Sequence, residues 1–161
     1  MPTTWYIDFE GYQFDHRYIV KEIVILNKDT LQCYNYFVAN PCTLPHHPNT
    51  HSFHYQYKRH NLRWLFGDYN FLEAIRDITS KVNGDIVYGK GPEKVKYLQT
   101  WLPQIEEMTW IKTPFKKLYN CVSEVCEIGH GLNCARRKVH ELRYVDSMYL
   151  HLYKSICKKD N

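Results

Sequence analysis

Two carboxylates at the end of the first apolar run have the spacing of a metal site. Asp8 and Glu10 are separated by one residue in the segment that begins at Trp5. Because side chains alternate along a strand, both carboxylates are predicted to project from the same face. Such pairs hold Mg²⁺ or Mn²⁺, the ions used in two-metal phosphodiester cleavage. The pair predicts a nuclease-type metal site, with strand-end turn formation as the alternative interpretation.

A second candidate site combines two thiols and an imidazole. Three residues separate Cys126 from His130, and three more separate His130 from Cys134. Thiolate and imidazole ligands at short spacing favour tetrahedral Zn²⁺, and Gly129 and Gly131 allow the chain to turn around an ion. The alternative is three buried residues without metal. A structural site needs a fourth ligand, and the candidates are Cys121, Glu93, Glu22 or a loop histidine.

A histidine-rich segment follows the third predicted strand. Proline residues interrupt it and its spacing matches no ligand pattern, so its histidines are predicted to be solvated: His46, His47, His51, His54 and His60. Aromatic and basic residues alternate in the same stretch, which favours stacking on single-stranded bases combined with phosphate binding. These residues are Tyr55, Tyr57, Lys58, Arg59 and Arg63.

The composition limits the class of protein. The chain has 161 residues, a formal charge of +4, six cysteines, nine histidines and 16% aromatic residues. This composition excludes the collagen, coiled-coil and disordered classes. The chain contains no run of about 18 apolar residues, so no membrane span is predicted. The N-terminus lacks a secretory signal pattern. We therefore expect an intracellular protein, cytoplasmic or nuclear, whose cysteines are reduced and available to metal.

The positive charge is concentrated near the C-terminus. Residues 112–159 contain ten basic and four acidic side chains, a net charge of +6, and the rest of the chain carries −2. A basic third is typical of a nucleic-acid binder, and a solvated helix face is the alternative. The residues predicted to contact phosphate are Lys94, Lys116, Lys117, Arg136, Arg137 and Lys138.

The elements that must position these residues follow from periodicity. Strands are predicted at 5–9, where Gly11 ends the run, and at 19–26, 31–38, 86–88 and 109–111. Helices are predicted at 71–82, from Gly91 and Pro92 onward, and from Cys134 toward Ile156. Residues 39–61 are predicted to form a loop, and residues 113–133 an irregular segment. The order β-β-β-α-β-α-β-α predicts one α/β domain over 1–161. Its expected architecture is a ribonuclease H-like mixed sheet with helices on both faces.

The first carboxylate motif resembles a known family. The run from Tyr6 to Gly11 is similar to the first motif of DEDD-type 3′–5′ exonucleases. That resemblance implies a second Asp after the fourth strand, and a His and a last Asp on the final helix. The matching positions here hold Lys94, Asn133 and Lys138, so it implies a degenerate catalytic site. The active alternative uses Asp146, with His140 in a shifted motif, and Glu93 or Asp85 as the second Asp.

The cysteine cluster contributes to a second resemblance. Lys-Glu-Ile-Val-Ile at 21–25, Tyr-Phe-Val-Ala-Asn-Pro at 36–41, a His-bearing segment and the Cys-His-Cys series resemble the Maelstrom domain, a divergent exonuclease-fold family. The resemblance implies a structural zinc held by Glu22, Cys126, His130 and Cys134. One further family His matches His54 or His60, and the other falls near Tyr36, which is a departure.

These observations predict a nucleic-acid-binding domain of exonuclease ancestry with a degenerate catalytic site and a structural zinc. Single-stranded RNA is the expected partner, and no membrane partner is expected. The first alternative is an active Mg²⁺- or Mn²⁺-dependent nuclease that uses Asp8, Glu10 and Asp146. The second alternative is a protein-interaction module that keeps the fold without binding nucleic acid.

Overall fold

A computed structural model describes residues 1–14, 17–39, 50–111 and 134–159, and its side-chain detail covers 1–13, 17–39, 55–111 and 134–149. Five strands and four helices lie within these ranges. The strands are β1 (Thr4–Phe14), β2 (Arg17–Asn27), β3 (Cys33–Phe37), β4 (Ile86–Gly89) and β5 (Ile105–Glu107). The helices are α1 (Thr50–His60), α2 (Phe71–Lys81), α3 (Pro92–Leu98) and α4 (Ala135–Lys159).

The strands form one mixed sheet in the order β3-β2-β1-β4-β5. β1 pairs antiparallel with β2, and β2 pairs antiparallel with β3. β4 pairs parallel with β1, and β5 pairs parallel with β4. The predicted α/β class with a mixed sheet is confirmed, and the strand that carries Asp8 and Glu10 is central, with neighbours on both sides.

Helices pack on both faces of the sheet because buried side chains alternate along β1 and β2. The face with α2 and α3 includes Ile7, Phe9, Ile23, Ile25, Ala74, Ile78, Val95 and Leu98. The face with α4 includes Tyr6, Val24, Leu26, Val139 and Leu142. Asp8 and Glu10 share the parity of Tyr6, so they belong to the α4 face.

β2 contains one extra residue opposite the junction of Glu10 and Gly11. Glu10 pairs with Glu22, whereas Gly11 pairs with Val20, so Lys21 is left over as a β-bulge. A Cβ at Gly11 would lie 2.2 Å from a main-chain oxygen of β2, which makes glycine necessary for this close approach. The predicted strand end at Gly11 is therefore wrong, because the glycine marks a bulge and the strand continues past it.

The bulged Lys21 is buried and anchors the segment after α1 to the sheet. Its ammonium group donates to the carbonyl oxygens of Trp64 at 2.7 Å and Phe66 at 2.6 Å, and to that of Val38. Burial lowers the pKa of Lys21 to about 8. Three carbonyl groups from separate parts of the chain thus depend on one side chain.

Replacing Lys21 by methionine is expected to lower the free energy of unfolding by roughly 3 kcal/mol, because buried carbonyl groups lose their donor. Urea denaturation measures the change. Lys28→Met is the matched control, because Lys28 is partly exposed and its Nζ lies 3.9 Å from the carboxylate of Asp146. Removing this ammonium group should cost less than about 1 kcal/mol. Equal stabilities of the two variants would contradict the anchoring role.

Two predicted elements differ from the structure. Residues 50–60 of the predicted loop form α1, which carries basic residues in its last turn and ends before Asn61, whose φ is 55°. The fifth strand lies at Ile105–Glu107 and not at 109–111. Its three residues are too short for periodicity to reveal, and only pairing with β4 defines it as a strand. The other predicted helices and strands are confirmed with shifted ends.

His60 differs from its predicted solvated state. The ring is fully buried, its Nδ1 accepts the main-chain N–H of Leu62 at 3.0 Å, and its centroid lies 4.6 Å from that of Tyr12 in an edge-on contact. His46 and His47 lie outside the described residues, as do the side chains of His51 and His54. His60 therefore belongs to the core contact between α1 and β1.

Within the described residues, no helix is both long enough and apolar enough to cross a membrane.

Candidate functional site

Asp8 and Glu10 lie side by side on β1, buried between the sheet and α4. Their exposed fractions are 2% and 3%, so water cannot solvate the two carboxylates. A buried carboxylate requires compensation by positive charge or hydrogen bonds. The sequence prediction that both project from one face is consistent with this arrangement, and the compensation comes from two lysines.

Lys94 reaches the pair from α3. Its Nζ lies 3.0 Å from Oδ1 of Asp8, 3.5 Å from Oε1 of Glu10 and 2.7 Å from the carbonyl oxygen of Phe9. Pro92 lies in the first turn of α3, where its missing N–H costs nothing, so the helix begins directly after β4 and carries Lys94 beside the strand. This is the position at which the exonuclease resemblance places the second Asp.

Lys138 approaches the same carboxylates from the first turns of α4. Its ammonium group donates to Oε1 of Glu10, and its side chain is only 9% exposed. Arg59 on α1 lies on the other side, with a guanidinium nitrogen 3.9 Å from Oε2 of Glu10. Three elements distant in sequence therefore supply cations to one carboxylate. Lys138 is the residue that the resemblance places at the last Asp.

The charges in this carboxylate–lysine cluster (Asp8, Glu10, Lys94 and Lys138) perturb one another. Burial acts to raise the pKa of Glu10, but the ammonium groups of Lys94 and Lys138 outweigh it and lower that pKa to about 2. Burial raises the pKa of Asp8, whose Oδ2 accepts no hydrogen bond within the described part of the chain. Burial alone would lower the pKa of Lys94, yet the two carboxylates raise it. Glu10 is therefore the firmly ionised member of the pair.

Lysine provides charge without providing a ligand. An ammonium group has three donors and no lone pair, so it cannot coordinate a metal ion or activate water as a metal does. Among the residues that the structure describes, no group of three or more His, Cys, Asp or Glu side chains is arranged to hold a metal ion. In this arrangement Asp8 and Glu10 act as acceptors for protein cations.

Asp146, the third residue of the active-nuclease alternative, is engaged elsewhere on α4. Its carboxylate accepts the hydroxyl of Tyr6 and, at 2.9 Å, the indole N–H of Trp110. Lys28 lies 3.9 Å away. These contacts tie α4 to β1 and to the chain after β5, which explains a buried carboxylate without a catalytic role.

The remaining residues of that alternative also have other contacts. Asp85 accepts the main-chain N–H of Thr3 at 3.1 Å and the indole N–H of Trp5 at 2.9 Å. Glu93 is exposed, with one oxygen 3.5 Å from the hydroxyl of Tyr18. The half-buried His140 has its pKa lowered by burial and by nearby arginines. The described contacts thus leave the carboxylate–lysine cluster with two carboxylates.

Two of the four predicted zinc ligands lie at one point of the structure. Glu22 and Cys134 are fully buried, and Oε1 of Glu22 accepts the main-chain N–H of Ala135 at 2.8 Å, one residue after Cys134. Its Oε2 accepts from Asn35 at 3.2 Å. A carboxylate and a thiol are both ligand types found in zinc sites. Cys126 and His130 lie outside the described residues, as does the alternative Cys121.

The predicted phosphate-contact residues fall into different environments. Lys94 and Lys138 belong to the carboxylate–lysine cluster, and Arg137 donates to Glu141 at 3.2 Å. Arg136 is half-buried on α4, and Lys116 and Lys117 lie outside the described residues. Internal carboxylates therefore already bind three of the six cations.

Helix α1 presents a basic and aromatic surface that the sequence placed in a loop. Tyr55 is 66% exposed and Arg59 is 53% exposed, and Lys58 and Arg63 are also exposed. Arg59 links this surface to the carboxylate–lysine cluster through Glu10. The alternation of aromatic and basic residues was visible in the sequence, but the contact with β1 required the fold.

Comparison with models of known protein families and with curated proteins finds no match to this chain. The exonuclease and Maelstrom resemblances therefore enter the functional argument as proposals.

Proposed function

We propose that this chain is a ribonuclease H-like domain of exonuclease ancestry that binds single-stranded nucleic acid, RNA foremost, and does not cleave it. One observation carries the proposal: the ammonium groups of Lys94 and Lys138 contact Asp8 and Glu10, the carboxylates that a nuclease would use for metal. The sheet order, with three antiparallel strands extended by two parallel ones, supports the architecture.

The absence of cleavage follows from electrostatics. Two-metal catalysis needs several oxygen ligands around ions about 3.5–4 Å apart. Here two positive groups stand against the carboxylates and would repel an incoming cation. Mg²⁺ or Mn²⁺ would be a cofactor only if the chain were catalytically active.

The surface of α1 supports the nucleic-acid proposal. Lys58 and Arg59 on α1 and Arg63 just after it provide positive charge, and Tyr55 provides an exposed ring on α1. Exposed aromatics between cations bind single strands by base stacking and phosphate contact, without sequence readout. Lys116, Lys117 and Arg136 are the remaining residues proposed to contact phosphate.

The buried Glu22 and Cys134 support a structural zinc, with Cys126 and His130 as the other ligands. Such an ion would join β2 to the start of α4. Reduced thiolates are needed for this site, which agrees with the proposed intracellular location, cytoplasmic or nuclear.

Fluorescence anisotropy with labelled single-stranded RNA tests the binding. We expect a dissociation constant of about 1 μM that weakens with salt at a log–log slope of about −2, from three cationic contacts at roughly 0.7 each. Lys58→Ala combined with Arg63→Ala should reduce the slope to about −0.7. The matched control is Lys81→Ala, which removes a lysine that is paired with Asp77 on α2.

Gel analysis of the same RNA with Mg²⁺ or Mn²⁺ tests the absence of cleavage. Intact RNA is expected after incubation with the wild type. Cleavage that disappears in Asp8→Asn/Glu10→Gln would instead establish the active nuclease. Binding to neither RNA nor DNA would point to a protein-interaction module.

A further inference from the structure

A cleft of about 400 Å³ opens beside α3, within the range of small-molecule pockets of roughly 300–1,000 Å³. A smaller cavity of about 170 Å³ shares two of its walls, Tyr18 and Tyr97. The main cleft is lined by Gln13, Tyr18, Glu93, Lys96, Tyr97 and Thr100. These residues combine aromatic surface with polar side chains at a site that the function above does not use.

The aromatic wall is supported by the core. The ring centroids of Tyr18 and Tyr97 lie 5.2 Å apart, and each lies 5.2 Å from that of Phe9. Phe9 is buried on β1, and Lys94 stands 5.1 Å over its ring. A ligand on this wall would therefore meet two tyrosine rings that pack on each other and on the buried Phe9.

The polar groups favour a base over a phosphate inside the cleft. Glu93 brings a carboxylate to the lining, which repels phosphate but accepts hydrogen bonds from amino groups. Thr100 and Gln13 add neutral hydrogen-bonding groups to the lining. Lys96, exposed on α3, supplies a cation for the backbone at the edge.

The cleft lining is joined to α1 through Gln13. The side chain of Gln56 on α1 accepts the main-chain N–H of Gln13 at 2.6 Å and donates to its carbonyl oxygen at 2.9 Å. Tyr55 and Lys58 lie on the same helix. Gln13 thus lies between α1 and the cleft, and a strand bound along α1 and over Gln13 would reach the cleft.

We propose that this cleft receives one unstacked base of a single-stranded nucleic acid, with the base against Tyr18 and Tyr97 and the adjoining phosphate at Lys96. The inference rests on the proposed function, and it adds a defined base subsite to a surface that otherwise binds without sequence readout.

Two measurements test it with the full chain. RNA containing 4-thiouridine is irradiated in complex with the wild type, and the crosslinked residues are mapped by mass spectrometry. Crosslinks at Tyr18 or Tyr97 are expected. Tyr18→Leu should weaken RNA binding about tenfold with an unchanged salt slope, because stacking is lost while phosphate contacts remain. Lys96 adds a fourth phosphate contact to the three counted above, so the wild-type slope should be about −2.8 rather than −2. Lys96→Ala should return it to about −2, and Arg76→Ala on α2 should change neither quantity.

The outcomes separate the two proposals. RNA that binds but crosslinks only elsewhere, with wild-type affinity in Tyr18→Leu, overturns the cleft and leaves the proposed function standing. Failure of the wild type to bind any single strand overturns both. If Tyr18→Leu does not fold, the crosslinks in the wild type test the proposal. Crosslinks at Tyr18 or Tyr97 support the cleft, and crosslinks found only elsewhere overturn it.

Discussion

Replacing Lys138 by methionine is expected to lower the free energy of unfolding by about 3 kcal/mol, since removing one partner of a buried ion pair costs roughly 3–5 kcal/mol. Glu10 would lose its most buried cation and keep Lys94 at 3.5 Å and Arg59 at 3.9 Å, which places the cost at the lower end. Urea denaturation measures this loss of stability, and the m-value should equal that of the wild type.

Two further variants assign this cost to the charge on Glu10. In Glu10→Gln/Lys138→Met a neutral amide replaces the carboxylate, so most of the lost stability should return. Arg59→Met removes a half-exposed cation and should cost less than about 1 kcal/mol. A double variant no more stable than Lys138→Met would attribute the loss to packing of the lysine stem and contradict the ion-pair explanation.

The pairing of Glu10 with lysine side chains also makes the stability of the fold depend on pH. The pKa of Glu10 is about 2 in the folded chain against an ordinary value of 4.5, so its stabilisation is complete above about pH 4.5 and is lost as the pH falls toward 2. Asp8 titrates in the opposite sense because its pKa is raised. The difference in free energy of unfolding between the wild type and Glu10→Gln, measured across pH, therefore isolates the Glu10 contribution. In Lys138→Met, where Glu10 has one cation fewer, this contribution should be lost at a higher pH.

Removal of the proposed zinc is expected to have the largest effect on the fold. Structural zinc contributes roughly 10–16 kcal/mol of apparent binding free energy in small zinc peptides, as much as the whole stability of an ordinary domain. Protein purified without chelator should contain one zinc per chain by elemental analysis. Chelation should abolish cooperative thermal unfolding, and added Zn²⁺ should restore it.

Point variants distinguish ligation from helix capping. Cys134→Ser should lose zinc, whereas the matched Cys33→Ser on β3 should retain it. Glu22→Gln keeps an oxygen that can accept the N–H of Ala135, so a loss of zinc affinity in this variant reports ligation and not capping. The site would be excluded if the wild type contained no zinc, or if Cys134→Ser still contained one zinc per chain.

Much of the architecture was predictable because it follows from local rules. The β-branched and apolar runs of β1 and β2 and the helical spacing of Ile75, Ile78 and Val82 require neighbours only a few residues away. The turn signal at Asn83 and Gly84 and the proline in the first turn of α3 act at single positions. Such features yielded the class of fold and the shared face of Asp8 and Glu10.

The helix at 50–60 and the position of β5 were not predictable in the same way. α1 is defined by contacts with β1, among them Gln56 on Gln13 and His60 on Tyr12, which lie more than 40 residues apart. β5 has three residues and exists as a strand only through its pairing with β4. Elements stabilised by distant partners leave a weak periodic signal.

Asp8 and Glu10 show most clearly what the sequence determined and what required the tertiary structure. Sequence alone determined that two acids share one face of a central strand, and alignment with a motif placed lysines where acids were expected. Only the tertiary structure decided that Lys94 from α3 reaches both carboxylates and that Lys138 from α4 reaches Glu10, because burial between sheet and helix forces opposite charges to meet. The bulge at Lys21 and the cleft beside α3 were likewise decided by the packing of segments that are remote in sequence.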